Sequence, residues 1–173
     1  MLSVSIGFDL GSSSAKALRT ARRGERLAAA VRRRIGTRRR AGGRVEHDPE
    51  EIVRATLGVL RTAGAAASGG KREAEALPLG IATQRSTVLF WDRDGGRPLT
   101  PAYSWQDLRG APLCARLRRL TSPPGFSGAG DLDAAVAART GLRLSPHYSA
   151  AKIAWALAHV RGLRRGVAAG RIL

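Results

Sequence analysis

Ile6-Gly7-Phe8-Asp9-Leu10-Gly11-Ser12-Ser13-Ser14-Ala15-Lys16 is the stretch on which the reading of this chain turns. An apolar strand from Leu2 to Phe8, with Val4, Ile6 and Phe8 on one face, delivers Asp9 into a turn of glycine and serine. Such a turn leaves backbone N–H groups unpaired and close together, which makes a cradle for an anion. The hydroxyls of Ser12, Ser13 and Ser14 add donors without bulk, and Lys16 adds a point charge suited to phosphate. Asp9, at the strand end, stands where a carboxylate ligand for Mg2+ is needed, since nucleotide-bound Mg2+ takes one or two carboxylates beside phosphates and water. Taken alone, the same residues also read as a polar β-turn with a charged exit.

The rest of the chain alternates strand and helix patterns. Ser3 to Phe8 reads as a buried strand, with Ala15 to Arg19 and Leu27 to Ile35 as antiparallel neighbours turning around Gly24. Asp48-Pro49-Glu50-Glu51 opens a helix, with Asp48 as N-cap, Pro49 as first helical residue and Glu51 at the third position. Ile52, Thr56, Val59, Leu60 and Ala63 supply its apolar stripe, so a helix is predicted over Asp48 to Ala63. Ala65 to Glu75 reads as a linker. Within it, Gly64 to Lys71 imitates a P-loop, but Arg72 stands in place of the hydroxyl residue and a helix, not a strand, precedes it. Leu77 to Thr83 and Thr87 to Trp91 read as strands, with a turn at Asp94-Gly95-Gly96. Helices are predicted over Pro112 to Leu120 and Asp131 to Arg139, the latter stopped by Gly141, with Ser122 to Gly128 as a loop between them. Ser149 is expected to cap a last helix carrying Ile153, Leu157 and Val160 on one face, and Gly170 to Leu173 reads as a turn into an apolar strand.

Asp9 to Ser13 resembles the first phosphate motif of the actin-like ATPase fold, Asp-x-Gly-Ser/Thr-Ser/Thr. Within that superfamily the chain is similar to the sugar and polyol kinases of the FGGY family. Arg44 to Ile52, Leu79 to Val88, Trp91-Asp92, Pro101 to Asp107, then Thr140 to Leu142 with Ser145 to Ser149 and Lys152, follow that family's blocks in order. The resemblance implies an α/β fold, an actin-like ATPase (ribonuclease-H-like) domain with a mixed central sheet, N-terminal half only. Residues 1–173 would be the sugar-binding domain that carries the first phosphate motif, truncated at Leu173, with the C-terminal ATPase domain absent. It further implies ATP and Mg2+ as cofactors, with Asp9, Gly11, Ser12, Ser13, Ser14 and Lys16 on the nucleotide and Asp9 on the metal. The family's catalytic aspartate matches no residue here, so the chain alone is expected to be catalytically incompetent.

For the substrate, the resemblance implies Gln84, Arg85, Ser86, Trp105, Asp107 and His147. The family's glycerol-specific members carry an Arg-Glu pair after Thr-x-Gln; here Arg85 keeps the arginine and Ser86 replaces the glutamate. Their tyrosine aligns with His147, and Tyr148 takes the neighbouring phenylalanine place. An arginine, an amide, an indole face and a carboxylate suit a polyhydroxylated ligand, whose hydroxyls need donors and acceptors and whose C–H faces stack on aromatics. Arg85 and Asp107 are expected to face one pocket with Trp105 as its wall and His147 at its rim. Losing a carboxylate and a phenol points to a ketopentose or hexitol over glycerol.

Composition pulls another way. Lys and Arg total 30 against 13 acids, a net charge of +17, and only Lys16, Lys71 and Lys152 are lysines. Arginines crowd between Arg19 and Arg44, with triplets at Arg32 to Arg34 and Arg38 to Arg40, which are expected on a strand end and the loop after it, solvated. Such a field attracts polyanions without sequence preference. Aromatics are only 5% of residues, and no helix-turn-helix, zinc-finger or ribonucleoprotein signature accompanies the arginines, so no specific nucleic-acid partner is assigned. Cys114 is alone, and His47, His147 and His159 lack metal-ligand spacing. No apolar run has the ~18 residues a membrane span needs, and the chain reads as cytoplasmic with no membrane partner. The resemblance implies a small-molecule sugar or polyol as partner, and a homo-oligomer stays open for a full-length parent. A non-catalytic nucleotide or sugar sensor on the same fold, and a basic nucleic-acid-associated protein, are the alternatives.

Overall fold

The structure, a computed structural model, describes residues 4–21, 30–68, 77–120 and 132–173. In chain order its elements are β1 (Val4–Leu10), β2 (Ser14–Ala21), β3 (Val31–Arg34), β4 (Arg38–Arg40), β5 (Arg44–His47), α1 (Pro49–Ser68), β6 (Leu79–Thr83), β7 (Ala102–Tyr103), α2 (Ala111–Arg118), α3 (Leu132–Thr140), α4 (Ser149–His159) and α5 (Leu163–Ala168). They gather into two compact units, Met1–Thr37 with His47–Arg85, and Arg38–Glu46 with Ser86–Leu173.

The first unit is a four-stranded mixed sheet in the order β3-β2-β1-β6. β2 is antiparallel to both β1 and β3, whereas β1 and β6 run parallel. The alternation read in the sequence sets the inner face: Ile6 and Phe8 are buried, and Ala17 pairs directly with Phe8. Small residues at Ala15 and Ala17 let α1 come close, and its stripe of Ala55, Val59 and Ala63 seals the core with Ile35. Their spacing of four puts these residues on one side of the helix. Burial of Ile6, Phe8 and Val59 contributes roughly 1.5–3 kcal/mol apiece.

α1 starts as its sequence dictates. Asp48 Oδ1 accepts hydrogen bonds from the Glu50 and Glu51 amides at 2.9 and 3.4 Å. Glu51 does not close a capping box; its Oε1 accepts instead from the Gly36 amide at 3.0 Å, tying the helix to the segment after β3. The helix runs to Ser68, past the predicted end at Ala63 and into the stretch read as linker. The expected turn at Gly24, the end of that linker and the loop at Ser122 to Gly128 lie outside the described residues.

In the second unit β4 and β5 form an antiparallel hairpin, and β7 extends the sheet in the order β4-β5-β7. The hairpin turns through Gly42 and Gly43 at φ 71° and 69°, left-handed backbone that glycine enters without strain. Phe90, Tyr103, Ala156 and Leu163 form the core, with Trp155, Val160 and Ile172 packed against it. α5 was not foreseen. Thr87 to Trp91 forms single bridges, Val88 with Tyr103 and Trp91 with Pro98, instead of a strand. Tyr148, not Ser149, is the N-cap residue of α4, and it makes no side-chain cap bond. The last residues do pair in strand fashion, Trp91 and Leu173 exchanging both backbone hydrogen bonds.

The arginine triplets are exposed, as charge density requires, but both stand on strands: Arg32 to Arg34 in β3 and Arg38 to Arg40 in β4. The Arg33 side chain lies over α1, where a Cβ on Gly58 would meet its Nε at 2.5 Å. No helix among the described residues is long and apolar enough to cross a membrane.

Two stability measurements check this account. Asp48→Ala removes the cap of α1 and is expected to lower the urea-unfolding free energy by about 1 kcal/mol. Replacing Arg38, Arg39 and Arg40 by serine is expected to cost less than about 1 kcal/mol per lost contact, because Arg40 meets Glu46 at 3.5 Å and Arg39 donates to Gln106 Oε1 at 3.0 Å, both from exposed positions. Loss of folding in that triple variant would mean that the run is structural.

Candidate active site

In the first unit, the loop between β1 and β2 closes on a single bond, Gly11 N–H to the Ser14 carbonyl at 3.0 Å. The amides of Ser12 and Ser13 have no hydrogen-bond partner among the described residues. Two free donors in a tight turn at a strand end are what an anion cradle needs. Asp9 and Lys16 pair directly across the two strands, and Lys16 Nζ lies 3.2 Å from Asp9 Oδ2 with both side chains half exposed. Ser14 is buried at the start of β2, so of the three hydroxyl residues it is the one turned away from solvent.

The parallel pairing of β1 and β6 carries the second group of residues to the same sheet edge. Leu10 is in register with Thr83, and the Gln84 amide donates to the Leu10 carbonyl at 2.8 Å. Gln84 and Arg85 therefore follow β6 beside the turn that follows β1. The carboxyl ends of adjacent parallel strands are where open α/β sheets bind ligands. Gln84 Oε1 is buried without a partner, an acceptor that needs a donor, and Arg85 is exposed. Ser86 has φ 65°, the one non-glycine residue with positive φ among those described. Strained backbone of this kind clusters at functional sites. Asp9 is in no group of three metal-binding side chains among the described residues, so a Mg2+ there would draw its other ligands from phosphate and water.

In the second unit, Trp105 and His147 come together. Their ring centres are 6.2 Å apart at 48°, and His147 Nδ1 lies 3.1 Å from the Trp105 carbonyl. Trp105 is 39% exposed, which rules out a purely core role for the indole. Arg85 belongs to the first unit, and Trp105, Asp107 and His147 belong to the second.

Asp107 departs from expectation. It is fully buried, and both carboxylate oxygens are consumed: Oδ2 accepts from the Val45 amide at 2.7 Å, and Oδ1 from Arg109 Nε at 2.7 Å. The Arg109 guanidinium also donates to Glu46 Oε1 at 2.7 Å and lies 3.4 Å from the centre of the Tyr103 ring. Burial alone would raise the Asp107 pKa, yet the bonds from Arg109 and Val45 outweigh it and hold the carboxyl below its usual range. Its oxygens are committed to the protein, which leaves none for a sugar hydroxyl. The substrate role read for Asp107 is therefore a structural one. Lys152 is the other surprise, fully buried in α4 with Nζ donating to the Pro146 and His147 carbonyls. The Arg109–Glu46 contact spans 63 residues and has no local sequence signal, whereas Asp107 lies two residues from Arg109 and the carbonyl partners of Lys152 lie five and six residues before it.

Asp107→Asn breaks one partner of a buried pair and is expected to destabilise by about 3–5 kcal/mol in chemical denaturation. A loss under about 1 kcal/mol would contradict the assignment. Lys152 supplies a pH signature. Burial, the largest cause, lowers its pKa to about 8 from 10.5, with Asp107 and Cys114 opposing and Arg109 assisting. The folded chain then binds fewer protons than the unfolded one between those values, so stability rises with pH across that window. Melting curves from pH 8 to 10.5 should show that slope in the native chain and its loss in Lys152→Met.

A glycerol kinase of Methylobacterium nodulans is 39% identical over 167 residues, 96% of this chain and 31% of its own length. One from Rhodospirillum centenum is 45% identical over 124 residues, 72% of this chain and 22% of its own. The crystal structure of Plasmodium falciparum glycerol kinase with ADP superposes with a TM-score of 0.82 at 22% identity, covering 99% of this chain and 32% of that one. The chain thus spans 31% of the length of the first of these relatives. Residues 4–171 match the N-terminal domain of the FGGY carbohydrate kinases, and the chain belongs to that family.

Proposed function

We propose that this chain supplies the phosphate turn and part of the sugar site of an ATP-dependent kinase that phosphorylates a hydroxyl of a sugar or polyol. The observation that carries the reading is the β1–β6 pairing, which sets the Asp9 to Ser13 turn and Gln84–Arg85 side by side at the carboxyl edge of one sheet. The residues fit the group they would hold. The free amides of Ser12 and Ser13 with Lys16 suit phosphate oxygens, and Asp9 suits Mg2+. ATP, when bound, supplies the transferable phosphoryl group. The chain's own part is positioning and charge neutralisation, which dominate phosphoryl transfer. In the first unit, Gln84 Oε1 would accept from a substrate hydroxyl and Arg85 would donate to another. In the second unit, taken by itself, the exposed Trp105 indole suits the C–H face of a sugar. Lys16 must leave Asp9 for both to act on the nucleotide, and their half-exposed ion pair costs little to break.

The test is sugar-dependent ADP release by the complete kinase polypeptide that carries these residues, with the 173-residue chain expected inactive. Asp9→Asn and Arg85→Ala are each expected to lower kcat/KM, Arg85→Ala by ~1–3 kcal/mol for a lost charged hydrogen bond. Unchanged kinetics in Arg85→Ala would remove that residue from the site. Ser86 and His147 stand where the family's glycerol-specific members place a carboxylate and a phenol, so a ketopentose or hexitol is the preferred acceptor. A panel of glycerol, xylulose, gluconate and hexitols decides it, and glycerol as best substrate by kcat/KM would overturn the preference.

A further inference from the structure

Lys152 occupies an expensive place. It is fully buried in the first turn of α4, where the positive end of the helix dipole repels an ammonium, and Arg109 adds to that repulsion. A methionine would fill the same volume without those costs. What only the lysine supplies is a set of N–H donors. Nζ gives one to the His147 carbonyl at 2.6 Å and one to the Pro146 carbonyl at 3.2 Å, so the turn before α4 is fastened from beneath. Charge is met by the neighbouring network: Asp107 and Glu46 bring two carboxylates against Arg109 and Lys152.

The fastened turn carries the His147 ring. Its Nδ1 faces the Trp105 carbonyl at 3.1 Å, and a carbonyl only accepts, so Nδ1 must carry the proton. In the neutral ring Nε2 is then a bare acceptor beside the exposed Trp105 indole. We propose that Lys152 is a positioning residue for carbohydrate recognition: by holding the Pro146–His147 carbonyls it fixes His147 as the Nδ1–H tautomer, with Nε2 aimed to accept from a hydroxyl of a sugar stacked on Trp105. This rests on the carbohydrate reading of the Trp105–His147 pair.

The experiment is nitrogen-15 NMR of the histidine rings and of the Trp105 indole in the chain and in two variants, Lys152→Met and Lys152→Gln. The native chain should show His147 protonated at Nδ1 in the neutral ring. Lys152→Met, folded by circular dichroism, should release it to the tautomer mixture of free imidazole, with Lys152→Gln intermediate because its amide restores a donor. A native-like tautomer in folded Lys152→Met overturns the proposal. If Lys152→Met does not fold, Lys152→Gln carries the same comparison, and failure of both to fold also overturns it, because the role is then stability alone. Titration with xylulose, gluconate and glycerol should shift the Trp105 indole signal, with affinity weakened about tenfold in Lys152→Met. Tautomer release with no sugar response in the native chain would leave the positioning in place and sink the carbohydrate reading instead.

Discussion

A guanidinium leaves water only where its charge is matched and its donors are filled, and Arg109 shows what that demands. Its side chain is 3% exposed, with Asp107 and Glu46 as ion partners and Tyr103 and Trp155 as ring neighbours. Those four partners come from the segment after β7, from β5, from β7 itself and from α4. The second unit is assembled around that one cation, and Asp107 passes the order on by accepting from the Val45 amide in β5. The Trp105-Gln106 turn lies between β7 and Asp107, so the exposed indole is held by a rigid base. Removing either carboxylate strands a buried charge, whereas replacing the whole set by apolar residues need not destabilise. The network is better understood as fixing geometry than as supplying net stability.

The first unit depends on a different constraint, the parallel register of β1 and β6. An antiparallel neighbour would place the end of β6 at the far side of the sheet from Gly11. Parallel pairing puts both exits on one edge, and the free amides, the Asp9–Lys16 pair and the unpartnered Gln84 acceptor collect there. The half-exposed Asp9–Lys16 pair costs little where it stands, whereas the buried Gln84 acceptor carries a desolvation cost until a donor meets it.

Much of this was legible in the sequence, and the reason differs by region. The β1 hairpin and α1 were readable because their signals are local: alternating Ile6 and Phe8, a Gly-Ser turn, and an Asp-Pro start. The boundary of α1 was misplaced because alanines past Ala63 have helix propensity but no apolar side chain to mark a face. Thr87 to Trp91 has the residues of a strand but makes only single bridges to its partners. Asp107 was misread because a carboxylate in a motif looks the same whether it meets a ligand or a buried arginine. Arg109 gave no signal, since Glu46 is brought near it only by folding, and Lys152 stood in a motif block without any sign that its side chain is buried.

Ser86 bears on how specificity can change over evolution. Its φ of 65° confines the position to residues that tolerate left-handed backbone, glycine and asparagine above all. Serine itself carries that Cβ strain, roughly 1–2 kcal/mol, and a β-branched side chain would add to it. His147, in an exposed turn, carries no such backbone constraint, since Ser86 is the one non-glycine residue with positive φ among those described.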